Sequence, residues 1–206
     1  MYSYQRFLLF HGVAVDNRLL FTIGYEGAEF ADFLATLRTA AIHSLIDIRA
    51  VPISRKSGFS KRGLAERLNT AGISYVHLKE LGDPKAGREA ARQGNIGEFE
   101  MIFKRHMEAP RSQEALSIVA KIASVSTACL LCFERDHARC HRSIVAAAIS
   151  GRDGIRVRHI GVRRGLASRI ESRTGRSEFT TGLAPLGCRS TNRQYRLTLA
   201  HADESQ

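Results

Sequence analysis

The chain has 206 residues, 44% apolar and 25% charged, the make-up of a soluble globular protein with one substantial core. No apolar run approaches the roughly 18 residues that span a bilayer, and the N-terminus lacks the pattern of a secretory signal, so the expected compartment is cytoplasmic and no membrane partner is expected. The formal net charge is +11 and the pI is near 10.1, which points to an anionic small molecule or nucleic acid as partner.

Residues 1–18 carry little pattern beyond the apolar run Phe7 to Phe10 and are set apart as an N-terminal extension. Leu19 to Tyr25 reads as a buried strand, with Gly24 and Gly27 at its end where the backbone must turn tightly. These glycines do not form a G-x-G-x-x-G fingerprint, so no dinucleotide is inferred from them. Phe30, Phe33, Leu34 and Leu37 then recur at helical spacing. Ser44 to Val51 is the second strand, closed by Pro52, which lacks a ladder donor. Asp47 and Arg49 lie two apart in it and share a face, either as a structural pair or to orient a substrate. The loop 53–62 is rich in hydroxyls and cations, including Ser54 and Arg55. Such a loop can hold phosphate or simply be solvated, with Ser60 capping the helix over Lys61 to Ala71.

Ile73 to Leu78 is the third strand. Residues 82–97 scatter four glycines among charges and read as a long irregular excursion of the lid or disordered kind. Helices are expected at about Glu98 to Met107 and Gln113 to Ser124, separated by Pro110. Ala128 to Phe133 is too short and apolar for anything but a buried strand. A charged loop follows, Glu134 to Arg139, and then a helix beginning near Cys140 with Ile144, Val145, Ala148 and Ile149 on one face. Ile155 to Val162 alternates apolar and polar residues, as an edge strand does. From Arg163 on, eight arginines occur by Arg196 with weak apolar periodicity, so residues 166–206 read as a basic, flexible tail.

Strands alternating with helices predict a doubly wound α/β fold, a mainly parallel sheet of about five strands with helices on both faces. Right-handed crossovers bring the strand ends at Tyr25, Arg49, Leu78 and Glu134 to one edge, where ligands bind in such sheets. The helix starting near Cys140 would turn unpaired N–H groups toward that edge, which suits an anion.

Three chemistries fit the residues gathered there. In an anion site, Arg49, Arg55 and Arg142 would clamp a phosphate-bearing or nucleotide-like ligand, with Gly24, Tyr25 and Ser54 beside it. Glu134 or Asp47 would then serve as general base or contact a sugar hydroxyl, in a hydrolase or transferase. In a cysteine enzyme, Cys140 at a helix start beside His141 and Arg142 would have a lowered pKa and act as nucleophile. In a metal site, Cys132, His137, Cys140 and His141 would be the ligands. No cofactor is specified by any motif. The C-x-x-C spacing of Cys129 and Cys132 falls inside a strand, which sends the two side chains to opposite faces and argues against a redox pair. The remaining class is a non-enzymatic nucleic-acid-binding protein, supported by the charge but by no known reader motif. Oligomeric state does not follow from the residues.

A resemblance narrows the fold. Thr22-Ile-Gly-Tyr-Glu-Gly27, Leu45-Ile-Asp-Ile-Arg-Ala-Val-Pro-Ile-Ser-Arg55, Gly58-Phe-Ser-Lys61, Leu64 to Leu68, Gly72-Ile-Ser-Tyr-Val-His-Leu78, Leu81-Gly82, Leu130-Leu-Cys-Phe-Glu134 and Cys140-His-Arg142 together resemble the DUF488 family in order and spacing over residues 19–150. The resemblance implies a Rossmann-like α/β domain over residues 19–165. It implies little about the reaction, since the family is itself named for unknown function.

Overall fold

The computed structural model describes residues 18–177. The N-terminal run Phe7 to Phe10 and the arginines beyond Ser177 lie outside the described residues. Five strands form one all-parallel sheet: β1 (Leu19–Gly24), β2 (Ser44–Asp47), β3 (Ser74–His77), β4 (Ala128–Cys132) and β5 (Arg156–Gly161), in the order β3-β2-β4-β1-β5. Seven helices accompany it: α1 (Phe30–Thr39), α2 (Lys61–Thr70), α3 (Lys85–Arg92), α4 (Ile96–Met107), α5 (Pro110–Val125), α6 (His141–Asp153) and α7 (Leu166–Ser177). The doubly wound expectation is met.

Alternation along the strands builds two cores. Phe21, Ile23, Leu45, Cys129 and Leu131 face the α1 and α2 side, packing with Phe33, Leu37, Leu64 and Leu68. Leu20, Ile46, Ala128 and Leu130 face the other side, packing with Phe103 of α4, Leu116 and Val119 of α5 and Val145 and Ile149 of α6. Cys129 and Cys132 accordingly sit on opposite faces, as the period of two demands. Strand β5 pairs only with β1 and alternates exposed and half-buried residues, the edge strand the sequence predicts.

The topology also fixes where a site can form. The chain leaves β1 and β2 toward the α1/α2 face but leaves β4 toward the α6 face. Since β4 lies between β1 and β2, its following loop stands at the point where the winding reverses, the crevice position in open α/β sheets.

Several local expectations are corrected. Strand β2 stops at Asp47 rather than at Pro52, because the Arg49 N–H turns back to the Asp47 carboxylate at 3.1 Å. Residues 82–97 are no irregular excursion: they hold α3 and the start of α4, with Gly87 and Ala90 buried. Their small residues and charges mask the period because a helix lying over a site has only a narrow apolar stripe. Pro110 opens α5 at its first position, where its missing donor costs nothing, rather than merely separating two helices. Ser60 stands at the N-cap of α2 without capping it; its hydroxyl donates to the Ser54 carbonyl instead.

The first part of the expected tail is ordered as α7, which packs against α1. The anchor is remote in sequence: the Asp32 carboxylate accepts the N–H groups of Gly165 at 2.7 Å and Ala167 at 3.0 Å. Those donors, Ala167 first, hold the Asp32 carboxyl below its ordinary range. Asp32→Ala should therefore release the start of α7, costing roughly 0.5–2 kcal/mol as for a lost N-cap. Limited proteolysis should show new cleavage near Gly165 while urea unfolding of the sheet stays cooperative.

Candidate functional site

The ends of β1 and β2 and the loop before α2 are joined by one guanidinium. Arg49, 5% exposed, meets the fully buried Asp47 carboxylate through Nε at 2.8 Å and Nη2 at 2.5 Å. Its Nη1 donates to the Tyr25 hydroxyl at 2.8 Å and to the Phe59 carbonyl at 2.9 Å. Burial and then the adjacent Asp47 charge push the Tyr75 phenol far above its usual range, so it stays protonated and donates to Asp47 at 2.7 Å. His77 of β3 donates from Nε2 to the Arg49 carbonyl at 2.9 Å. Tyr25 is thereby held flat on Phe59, with centroids 4.3 Å apart, and edge-on to Phe133. Of the two readings of Asp47 and Arg49, the geometry builds the structural pair, and Asp47 has no free face for base chemistry.

Arg142, 1% exposed, has a similar structural task in the loop after β4. Its Nη1 donates to the Glu134 carbonyl and its Nη2 to the Arg135 carbonyl at 3.0 Å. The expected clamp of Arg49, Arg55 and Arg142 is thus not assembled: Arg55 is exposed on the 51–59 loop, while Arg142 is occupied by backbone oxygens. Gly24 is likewise a matter of space. A Cβ there would fall 1.8 Å from the Glu134 oxygen, so only glycine lets the β4 loop cross the end of β1.

Above these strand ends lies a cavity of about 830 Å³. Its lining includes Tyr25, Arg49, Ser54, Arg55, Lys56, Asp83, Arg88, Arg92, Cys132, Glu134 and His141, with Val51, Ile53 and Phe133 at the rim. The 51–59 loop and α3 supply the cations; Ser54 and Ser60 clasp that loop shut. A second cavity, about 660 Å³, lies beyond Asp83 toward His106 and Arg111 and contains none of the thiol cluster.

On the floor, Glu134, Cys132, Cys140 and His141 converge. Both thiols donate to Glu134 Oε2 at 2.9 Å, and Cys132 Sγ lies 3.7 Å from His141 Nδ1. Burial alone would raise the Glu134 carboxyl, but the Cys132 and Cys140 donors outweigh it and hold it below the ordinary range. Burial, with the neighbouring Cys140 and Glu134 adding to it, keeps the Cys132 thiol well above its usual value. Burial lowers His141 against the pull of Glu134, favouring the neutral imidazole. Cys140 is 6% exposed and does not line the cavity, which leaves an incoming electrophile no approach to it. Its Sγ accepts the Arg142 N–H, so the start of α6 is capped by the thiol rather than open to an anion. His137 is absent from the cluster: it stacks on His159 at 3.9 Å.

Sequence reading missed Asp83, Lys56, Arg88 and Arg92. Asp83 is buried enough that desolvation, with Glu134 nearby, pushes it up to about 6, and its Oδ1 has no hydrogen-bond partner. Lys56 lay in the cation-rich 53–62 loop already singled out; the signal for Asp83, Arg88 and Arg92 was the charge density of 79–92, obscured by its glycines.

The family model described as "Domain of unknown function DUF488" matches residues 29–149, more than half of the chain. The chain belongs to that family. The DUF488 match begins after β1 and ends within α6, so it takes in Asp47, Arg49, Glu134 and Cys140-His141-Arg142 but not Gly24 or Tyr25. No curated protein and no solved structure matches significantly. Among the described residues no helix is long and apolar enough to cross a membrane.

Two outcomes test this architecture. Arg49→Ala leaves the Asp47 carboxylate buried beside only the Tyr75 hydroxyl and the Arg49 N–H, and should cost about 3–5 kcal/mol in urea unfolding. Gly24→Ala should cost about 1–3 kcal/mol by overpacking, read as a lowered urea midpoint.

Proposed function

We propose that this domain binds a phosphate-bearing, nucleotide-like ligand in the 830 Å³ cavity at the C-terminal strand ends. The observation that carries the reading is the division of the cavity walls. Arg55 and Arg92 approach exposed from two different elements, the 51–59 loop and α3, and offer donors of the charge-assisted kind to an anion, while Lys56, paired with Glu29 at 3.0 Å, and Arg88, bound to the Asp83 carbonyl, add positive charge beside them. Opposite them lie Asp83 and Glu134 with Cys132 and His141. Val51, Ile53 and Phe133 stay 53%, 77% and 46% exposed on the rim, an apolar surface against which a base or similar flat group packs. Asp83, raised to about 6 by burial, lines the same cavity and can share a proton with a ligand hydroxyl or amine. A ligand so placed sets its reacting end over the acidic floor, where burial raises Asp83 to about 6, so hydrolysis or group transfer is the class of chemistry this reading implies. The basic surface alone supports a nucleic-acid partner, but that partner would leave the acidic floor unexplained.

The test is a thermal-shift titration with nucleoside mono- and diphosphates, sugar phosphates and short oligonucleotides, on wild type and on Arg55→Ala/Arg92→Ala. Both arginines are exposed, so the double variant should keep its fold. A small phosphate ligand at a hundred times its Kd should stabilise wild type by about 2.7 kcal/mol. The double variant should bind it at least about tenfold more weakly. A shift with oligonucleotides alone, unchanged in the double variant, would replace this reading with nucleic-acid binding; no shift with any ligand would overturn it.

A further inference from the structure

We infer that Cys132, Glu134, Cys140 and His141 form a mononuclear site for a borderline-soft divalent cation, zinc being the type case, that locks the loop after β4 to the start of α6. The inference does not need the anion reading, although it takes up Cys132, Glu134 and His141 of that cavity floor and leaves Asp83 as the floor's free carboxyl. The four donor atoms lie within 4.8 Å of one another. A tetrahedral zinc with bonds of about 2.0–2.3 Å places its donors roughly 3.3–3.8 Å apart, so closing onto the ion requires movements of only about an ångström.

The contacts within the cluster make poor sense as hydrogen bonds alone. One carboxylate oxygen receives both thiols at 2.9 Å, closer than sulfur and oxygen ordinarily approach, and an imidazole nitrogen faces the same group. Three electron-rich atoms crowd the point that a shared cation would neutralise. The supporting contacts are those of a ligand shell. His141 Nε2 donates to the Ile48 carbonyl at 3.2 Å, which fixes the tautomer and leaves Nδ1 unprotonated, 3.7 Å from Cys132 Sγ and 3.9 Å from Asp83 Oδ2. Cys140 Sγ accepts the Arg142 N–H at 3.5 Å at the helix start, where the dipole stabilises a thiolate. The Phe103 ring, 5.4 Å from the imidazole, holds it from the far side.

Two thiolates and a carboxylate against a divalent cation leave one excess negative charge, which the α6 dipole and the buried Arg142 beside it offset. The donor set of two sulfurs, one nitrogen and one oxygen selects zinc over magnesium or calcium. With four protein ligands the site is closed and its role structural. The need is visible in the loop: residues 135–139 are all exposed, and the apolar hold on the segment between β4 and α6 is the edge contact of half-exposed Phe133 with Tyr25. Adjacent Cys140 and His141 reach one point because Cys140 is extended at the N-cap, with φ −135° and ψ 135°, whereas His141 is the first helical residue.

On binding, each thiol proton is released to solvent and two metal–sulfur bonds form, with no change of oxidation state. The experiment loads purified, metal-stripped full-length chain with zinc, and in parallel with cobalt(II) as a spectroscopic stand-in. We expect one equivalent of zinc by elemental analysis, a raised melting temperature, and thiolate-to-cobalt charge-transfer absorption. Cys140→Ser should abolish the charge-transfer signature of a two-thiolate site and weaken zinc binding at least tenfold. Cys129→Ala, on the opposite sheet face, should leave both unchanged. Because Cys140→Ser is itself a buried change, Glu134→Gln provides a second variant at a half-buried position; it should weaken zinc at least tenfold while keeping the thiolate absorption. Arg55→Ala/Arg92→Ala should retain full metal content whatever becomes of its phosphate binding. A folded wild-type chain that takes up neither metal, or zinc binding indifferent to both Cys140→Ser and Glu134→Gln, would overturn the assignment.

Discussion

The Arg49 guanidinium is the interaction on which the arrangement of strand ends depends. Within one planar group it satisfies Asp47 of β2, Tyr25 beyond β1 and the Phe59 carbonyl of the next loop. Through Asp47 it also gathers Tyr75 of β3. Five fixed donors in a fork are what such a junction requires, and a lysine's single ammonium could not span it. A buried pair of this kind gives little net stability, because desolvation opposes the Coulomb gain. What it supplies here is geometry: the end of β2 turns sharply, and Tyr25, Phe59 and Phe133 stack into a wall of the cavity.

Arg142 repeats the device on the other side. Its side chain ties down the carbonyls of Glu134 and Arg135, and Gly24 vacates the space into which Glu134 is drawn. The two arginines are scaffolding, and this leaves the work of facing an anion to cations nearer the surface. Arg55 and Arg92 stand exposed on a loop and a helix that rise over the sheet, whereas Lys56 beside them is paired with Glu29 and Arg88 with the Asp83 carbonyl. The buried cations hold the site still and the exposed ones meet the solvent.

The cluster of Cys132, Glu134, Cys140 and His141 belongs to the same economy of position. The β4 loop stands where the direction of winding reverses, between the ends of β1 and β2. A charged segment in that place has few apolar contacts, and its conformation must be set by polar or coordinate bonds. Carboxylate, thiol and imidazole at the hinge between strand and helix are suited to that.

The strand–helix alternation, the parallel sheet with helices on both faces and the gathering of the strand ends at one edge were legible in the residues, because they rest on periodicity and on turn chemistry that act over a few positions. Leu19 to Tyr25 and Ala128 to Phe133 announced themselves as buried strands, and the spacing of Cys129 and Cys132 already separated their faces. The groups facing the cavity were legible in part, Tyr25, Arg49, Ser54, Arg55, Glu134 and His141 among them, but not which of them are free. A lone arginine in sequence reads the same whether it meets solvent, as Arg55 does, or is consumed by Asp47 or by backbone carbonyls. Helix α7 was invisible for the same reason, since its anchor, Asp32, lies more than 130 residues away. The replacement of His137 by Glu134 in the cluster depended on which side chains the loop turned inward. Local pattern is determined by nearest neighbours along the chain and can be read from it. The partners of buried charges are determined by contacts between distant segments, and only the folded structure decided them.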